Sequence, residues 1–163
     1  MAIVQHTMAA PREAVFAVLA NGWAYSDWVV GTVHVRAVAE GWPQAGAVIH
    51  HKAGPWPLSL HDRTVSVRCE PPALLVLSPH LWPLGEVTVT LTLREEGPDR
   101  TVVILDEKFE RGPMRWLRTK VDDLVLHYRN RESLRRLEDL AMRRSEPADG
   151  RTVRSAASAM GRS

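Results

Sequence analysis

The 163-residue chain is long enough for one domain and a tail, and a domain of about 140 residues can bury a sufficient core without staples. Its composition, 45% hydrophobic and 25% charged, is typical of a soluble globular protein, and the single Cys69 excludes an internal disulfide and a cysteine-rich zinc site. The net charge is +2, but the basic excess lies in residues 111–144, which carry 10 basic and 5 acidic side chains.

Several classes of protein are disfavoured by what the sequence lacks. The N-terminus has neither the basic segment nor the long apolar core of a signal peptide, and no run approaches about 18 apolar residues. We therefore expect a cytoplasmic protein without stable membrane insertion. Nucleotide-binding glycine loops, a G-x-S-x-G serine motif and an H-E-x-x-H zinc motif are absent. Nothing resembles a nucleic-acid-binding motif, so we expect no nucleic-acid partner.

The first third of the chain begins with a strand and continues with two short helices. Residues 2–8 predict the strand, and Pro11 is suited to the first turn of the helix that follows. Asn21-Gly22 predicts the end of that helix. The aromatic segment 23–31 predicts a second helical turn before the period of the apolar residues changes to two.

Alternating apolar residues then predict six strands, and a 3.6-residue period predicts one long helix. The strands cover residues 32–39, 47–53, 58–69, 73–78, 86–94 and 100–109. Residues 79–85 between two of them read as a loop. The helix covers residues 114–144, and residues 1–144 form one domain, with 145–163 as a disordered tail.

The order of these elements predicts an α+β architecture. Six consecutive strands with short turns pair mostly as an antiparallel meander, and the apolar face of that sheet needs a cover. Only the last helix is long enough, so we expect a curved sheet of about seven strands to grip it. A cavity between sheet and helix follows from this geometry.

Local strings in the same order resemble the START-like (SRPBCC) superfamily, in its polyketide cyclase/dehydrase and lipid-transport branch. These strings are Trp28 before a glycine, Trp42-Pro43 with Gly46, His61-Asp62-Arg63-Thr64-Val65, Glu70-Pro71-Pro72, Thr101 to Glu107 leading into Gly112-Pro113, and Arg129-Asn130 with Ser133 to Leu137. The resemblance spans about residues 1–144. It implies the helix-grip fold and binding of a hydrophobic small molecule, and it does not imply one activity.

Glu107 is the best candidate for a catalytic residue. If Val103 and Leu105 face the cavity, Glu107 faces it too, because alternate residues of a strand share one face. A carboxylate in an apolar pocket could act as an acid, a base or a polar anchor. The alternative is a salt bridge at the strand end, with an arginine of the last helix as partner. The opposite phase would bury Ile104 and turn Asp106 inward.

Histidines on the strands are further candidates for contact with a ligand. His50 and His51 are adjacent, so one faces the cavity and the other faces outward; we take His50 as the candidate, while the sequence leaves the choice open. His61 lies on the next strand, and His80 lies in the predicted loop. Because adjacent histidines on a strand cannot chelate one ion together, we expect no metal and no cofactor.

Large apolar side chains complete the set of candidates. Trp56 and Trp82 each precede a proline in loops between strands, where they either border the cavity mouth or pack on the core. Val103 and Leu105 line the cavity in the phase that turns Glu107 inward. The predicted inward face of the last helix adds Leu117, Val121, Leu124 and Tyr128, on or near the same stripe as Leu134, Leu137 and Ala141.

Three functions are compatible with these features. The first is a binder of a small hydrophobic ligand, lipid-, polyketide- or aromatic-like, because it needs only a cavity and a few polar anchors. The second is a polyketide cyclase- or dehydratase-like enzyme, which would need an acid/base pair around the ligand. The third is a protein-interaction module that uses the basic helix. The oligomeric state stays open, a homodimer included.

Overall fold

The computed structural model describes residues 2–53, 60–81, 85–111 and 120–145. Its strands are β1 (Ala2–Met8), β2 (Thr32–Val38), β3 (Val48–Ala53), β4 (Leu60–Glu70), β5 (Leu74–Leu81), β6 (Gly85–Gly97) and β7 (Arg100–Arg111). Its helices are α1 (Arg12–Leu19), a 3₁₀ turn (Gly22–Ala24), α2 (Tyr25–Trp28) and α3 (Lys120–Ser145). Trp56, Trp82, Leu117 and the predicted tail beyond residue 145 lie outside the described residues. Within these ranges, no helix has the length and apolar character needed to cross a bilayer.

The seven strands form one antiparallel sheet in the order β1-β7-β6-β5-β4-β3-β2. Strands β2 to β7 follow one another as a meander, as their short connections predicted. The first strand of the chain is added beside the last, where Val4 pairs with Leu105. This arrangement, with a long C-terminal helix, confirms the predicted α+β helix-grip fold.

The long helix α3 covers one side of the sheet and packs on β1, α1 and α2. Its 26 residues extend about 39 Å at 1.5 Å per residue. Leu134, Leu137 and Ala141 have no exposed surface and join the core. Each large apolar side chain buried in this way stabilises the fold by about 1.5–3 kcal/mol, so the contact with the helix is a principal source of stability.

The prediction that Leu124 and Tyr128 lie on the buried face of this helix is wrong. Their exposed fractions are 69% and 74%. Tyr128 precedes Leu137 by nine residues, which is about two and a half turns, so the two side chains lie on opposite faces. Leu126 is eleven residues before Leu137, about three full turns, and it is half-buried.

An ion pair holds α3 against the edge strand β1. Glu138 accepts hydrogen bonds from the ring Nε2 of His6 at 2.6 Å and from the backbone N–H of Ala9 at 2.9 Å. Burial by itself would raise the pKa of Glu138, but the His6 and Ala9 hydrogen bonds outweigh it and lower that pKa. The charged carboxylate is therefore the form that positions the helix.

Among the boundaries that differ from the sequence prediction, two have a clear structural cause. Helix α1 ends at Leu19, and Asn21 begins the 3₁₀ turn instead of ending the helix: its side chain accepts from the Trp23 N–H at 3.2 Å. Strand β5 continues through His80, where a loop was predicted. Pro79 has no N–H to donate, and the pairing of β5 with β6 skips it while the pairing with β4 continues.

Candidate functional site

A cavity of about 250 Å³ lies between the sheet, α2 and α3. Most of its described lining is apolar, and a few polar groups lie at one side. The lining consists of Tyr25, Trp28, Val29, Val30, Gly31, Thr32, His51, Ala53, Leu77, Pro79, Val89, Leu105, Glu107, Arg129, Asn130 and Ser133. The expected cavity between sheet and helix is therefore present.

Two aromatic rings from the single turn of α2 form one wall. Tyr25 and Trp28 are three residues apart, so a helical turn brings their side chains to one face. Their rings pack edge to face, with centroids 5.6 Å apart and planes at 76°. Both residues are buried. An edge-to-face pair of this kind fixes the orientation of both rings, and the wall is rigid.

The loop after α2 is fixed to the long helix by one hydrogen bond. The Val30 N–H donates to the Ser133 Oγ at 3.1 Å. Ser133 is buried, and both residues line the cavity. Rotation of α3 would therefore move the loop that carries Val29 to Thr32, so the helix sets the shape of this side of the cavity.

A chain of three hydrogen-bonding groups joins α2 to the sheet. The Tyr25 hydroxyl lies 3.1 Å from the Thr64 Oγ1, and that oxygen lies 2.9 Å from the His51 Nε2. All three residues are buried, and the rings of Tyr25 and His51 are 5.3 Å apart. The other ring nitrogen of His51, Nδ1, is buried and has no hydrogen-bond partner among the described residues.

Counting protons along this chain assigns the histidine tautomer. If Tyr25 donates to Thr64 and Thr64 donates to His51 Nε2, both hydroxyl hydrogens are used and the Nδ1–H of His51 is the one donor left without a partner. Each other arrangement leaves a buried hydroxyl hydrogen and the Nδ1 lone pair both unpaired, which costs more. The assignment from the hydrogen-bond network is therefore a neutral His51 with its proton on Nδ1.

The charge states of these groups agree with that assignment. Burial, with a smaller contribution from the neighbouring His50, lowers the pKa of His51 from 6.5 to about 4. Burial also raises the pKa of Tyr25 to about 12. At neutral pH the cavity therefore presents a neutral imidazole and a neutral phenol.

The charged part of the cavity is an ion pair between β7 and α3. The Nη2 of Arg129 donates to both carboxylate oxygens of Glu107, at 2.6 and 2.7 Å. The Nδ2 of Asn130 donates to the same carboxylate at 2.6 Å, and its Oδ1 accepts from Arg129. Glu107 is only 2% exposed. Three donated hydrogen bonds and a neighbouring cation compensate the burial of this carboxylate.

The phase predicted for β7 is confirmed. Val103, Leu105 and Glu107 are buried on the inner face, and of these Leu105 and Glu107 line the cavity. Val103 packs in the core instead. The sequence alternatives for Glu107 are resolved in favour of pairing with an arginine of the last helix. Contact of any of these residues with a ligand remains a prediction.

The histidines are distributed differently from the prediction. His51, not His50, is the buried member of the pair and lines the cavity, while His50 is exposed. His61 and His80 join His50 in a separate groove on the outer face of the sheet. The physical reason is alternation: the inner face of β3 carries Ile49 and His51, so His50 must face outward.

Among the helix candidates, the exposed Leu124 and Tyr128 do not line the cavity. The backbone of Val121 is helical, but its side chain lies outside the described set. The helix contributes Arg129, Asn130 and Ser133 instead. Counting 3.6 residues per turn back from Leu137 would have identified Asn130 and Ser133 as inward residues, because seven and four residues are close to whole turns.

The described residues contain no group of three or more His, Cys, Asp or Glu side chains arranged to hold a metal ion. The polar groups of the described lining include an imidazole, a phenol, the Ser133 hydroxyl, a carboxylate already held by three donors, and donors of Arg129 and Asn130. This set can orient a polar group on a bound molecule by hydrogen bonds.

Comparison with known proteins shows which solved structures share this fold. The sequence matches no protein-family model and no curated protein. Among solved structures, the Zhui aromatase/cyclase from Streptomyces sp. R1128 is 20% identical, with 91% of this chain and 98% of that chain covered and a TM-score of 0.64.

Two other solved structures match over a similar extent. Ara h 8.0201 is 10% identical, covering 86% of this chain and 96% of its own, with a TM-score of 0.64. A protein from Arthrobacter aurescens solved by solution NMR is 14% identical, with 92% and 90% covered and a TM-score of 0.67. Identities this low show the fold alone. The structure therefore has the helix-grip fold that the order of the elements predicted.

Proposed function

We propose that this protein binds a small, largely apolar molecule that carries a hydrogen-bond acceptor, in the cavity between sheet and helix. The observation that carries the proposal is the unpartnered Nδ1 of His51 in a mostly apolar cavity. A buried donor without a partner costs about 1–3 kcal/mol, and a small turn of the imidazole would bring this donor to a ligand acceptor in the cavity, which would remove that cost. A carbonyl oxygen is the simplest group that fits.

The size of the cavity favours a compact ligand over a long acyl chain. Its volume of about 250 Å³ lies just below the range of about 300–1,000 Å³ common for ligand pockets. The rigid ring wall of Tyr25 and Trp28 offers faces and edges on which a flat ring can stack. Within the range of lipid-, polyketide- and aromatic-like ligands, a bicyclic ring ketone therefore fits best.

A cyclase- or dehydratase-like activity is the second candidate, and the structural neighbour described as an aromatase/cyclase is the observation that favours it. Such a reaction needs a free acid or base near the ligand. Glu107 is occupied by Arg129 and Asn130, and no hydrogen bond joins it to His51 in the described part of the chain. The geometry thus supports binding better than proton transfer.

The binding proposal is tested with two probes that differ only in the acceptor. Isothermal titration calorimetry compares 1-indanone, a bicyclic ketone, with indane, which has the same rings without the carbonyl. We expect both to bind saturably and the ketone to bind about tenfold more tightly, since one hydrogen bond is worth about 0.5–1.5 kcal/mol. His51→Phe should remove that preference while binding of indane persists.

A cavity-filling substitution gives the control for location. Val89→Phe adds a ring into the cavity and should abolish binding of both probes, whereas Val67→Phe adds the same ring at a position that is 53% exposed. The Val67 variant should bind like the unchanged protein. If neither probe binds the unchanged protein, or if Val89→Phe binds as well as Val67→Phe, the proposal is wrong. Native mass spectrometry of protein purified from its own host would then identify any retained ligand.

A further inference from the structure

The outer face of the sheet carries a groove that the proposed function does not use. It has a volume of about 330 Å³ and lies on the opposite side from the cavity. Its six described lining residues are Arg36, His50, His61, Asp62, Arg63 and His80. Five of these six are basic or can become so, and one is acidic. The three histidines predicted to contact a ligand, His50, His61 and His80, therefore lie together in this groove and not in the cavity.

Strand register places three of these side chains in one row across the sheet. His50 on β3 is directly opposite Arg63 on β4, and Arg63 is directly opposite His80 on β5. Side chains at directly opposite positions of antiparallel strands lie about 4.5–5.5 Å apart at Cβ. Arg63 thus has an imidazole on each side. His61 precedes it by two residues on the same face.

Two carboxylates, those of Asp62 and Glu86, lie beside the row. Neither Arg36 nor Arg63 forms a salt bridge in the described part of the chain. The Asp62 carboxylate accepts a hydrogen bond from the backbone N–H of Arg63 at 2.7 Å, and the Glu86 Oε1 lies 3.7 Å from the Nε2 of His80. The other ring nitrogen of His80, Nδ1, is buried without a partner.

We propose that this groove is a second binding site, which takes a phosphate group. Guanidinium groups bind phosphate oxygens with short, charge-assisted and often bidentate hydrogen bonds. Each histidine ring adds an N–H donor in its neutral form. Arg36 supplies a second guanidinium. It is on strand β2, which neighbours β3 on the side away from β4, so His50 lies between the two arginines. The phosphate is free in solution or carried by a lipid headgroup, and both sources present the same oxygens.

The first experiment uses inorganic phosphate and pyrophosphate as probes. At one fixed pH, the histidine ring signals are followed by ¹H–¹³C NMR, with sodium chloride of equal ionic strength as the reference. We expect saturable shifts of the His50, His61 and His80 signals with the phosphates and none with chloride. Arg63→Gln should weaken binding about tenfold or more, because a hydrogen bond between charged groups is worth about twice a neutral one.

Arg94→Gln is the matched control, since it removes the same charge from an exposed position on the outer face of β6. It should leave the affinity within about twofold, because exposed charges beyond a Debye length of about 10 Å are largely screened. Equal loss in the two variants would show a nonspecific charge effect and would overturn the site. The cavity probes should bind both variants normally, so this test is independent of the proposed function.

A second experiment separates the two sources of phosphate. Sedimentation with vesicles of phosphatidylcholine, with and without phosphatidic acid, tests the lipid source. Binding that requires phosphatidic acid and is lost in Arg63→Gln but not in Arg94→Gln supports the site with a lipid headgroup as its occupant. Saturable binding of free phosphate without vesicle binding supports the site with a soluble occupant. If neither probe binds, the proposal is wrong.

Discussion

Arg129 and Glu107 differ sharply in exposure although one short ion pair joins them. The Glu107 side chain is 2% exposed and the Arg129 side chain is 32% exposed, with 2.6 Å between the Nη2 and the nearer carboxylate oxygen. The carboxylate therefore depends on the arginine, while the arginine can also reach water. This asymmetry makes the two single substitutions unequal.

We predict that Arg129→Gln destabilises the fold more than Glu107→Gln does. Loss of the arginine leaves a buried carboxylate and should cost about 2–4 kcal/mol, near the cost of breaking a buried pair. Loss of the carboxylate leaves a cation that water can solvate and should cost about 1–2 kcal/mol. Urea unfolding at pH 7 measures both. The double variant completes the cycle, and strictly additive losses would show that the pair is not coupled.

The free energy of unfolding should fall as the medium becomes acidic, because His51 takes up a proton more readily in the unfolded chain than in the fold. The pKa of His51 is about 4 in the fold and about 6.5 in the unfolded chain. Between these values the unfolded chain binds a proton that the fold does not, so the free energy of unfolding decreases as pH falls from about 6.5 towards 4. The full difference is worth about 3–4 kcal/mol.

His51→Gln removes this titrating group and keeps an amide that can hydrogen-bond. The difference in unfolding free energy between the unchanged protein and this variant should shrink steadily from pH 7 to pH 4.5, because only the unchanged protein loses stability through His51. Contributions of the carboxylates cancel in this difference. Urea unfolding at each pH provides the values. A difference that stays constant over this interval would contradict a lowered pKa for His51.

The orientation of α3 is tested by two truncations on opposite faces. Leu134→Ala removes a fully buried side chain and should cost about 2–5 kcal/mol, because it leaves a void in the core. Tyr128→Ala removes a larger side chain that is 74% exposed and should change stability by no more than about 0.5 kcal/mol. Thermal or urea unfolding distinguishes them. Comparable losses would mean that Tyr128 faces the core, as the sequence pattern suggested.

Gly22 is required by close packing. A Cβ added there would lie 2.6 Å from the Val38 Cγ1 and 3.1 Å from the Trp42 Cδ1. Gly22→Ala should therefore cost about 1–3 kcal/mol through overpacking. Gly41→Ala is the control, since its Cβ would meet no atom within 4 Å and should be neutral or stabilising by up to about 1 kcal/mol. A neutral Gly22→Ala would show that the side chain of Val38 moves aside freely.

Local patterns in the sequence were sufficient for the elements and their order. Alternation along residues 86–94 and 100–109 predicted β6 and β7, and it placed Glu107 on the same face as Val103 and Leu105, because side-chain direction along a strand depends only on the backbone period. The short connections predicted the meander, and the length of the last helix predicted the cover. The predicted strand β5 ended too early, at residue 78, because Pro79 was interpreted as the start of a loop.

Positions decided by contacts far apart in the sequence were not accessible in the same way. The choice between His50 and His51 depends on which face of β3 the helix covers. The partner of Glu107 depends on the rotation of α3 about its axis, and the placement of Leu124 and Tyr128 depends on the same rotation. A helix with many charged residues has a weak apolar stripe, so its rotation is set by packing against β1, α1 and α2.

The sequence alone therefore determined the order of the secondary-structure elements and the fold class, because these follow from periods of two and 3.6 residues. Only the tertiary structure decided which polar groups meet. Tyr25, Thr64 and His51 come from three separate elements, and the row of His50, Arg63 and His80 depends on the register of three strands. Register is fixed by the pairing of whole strands, and no local pattern in one strand contains it.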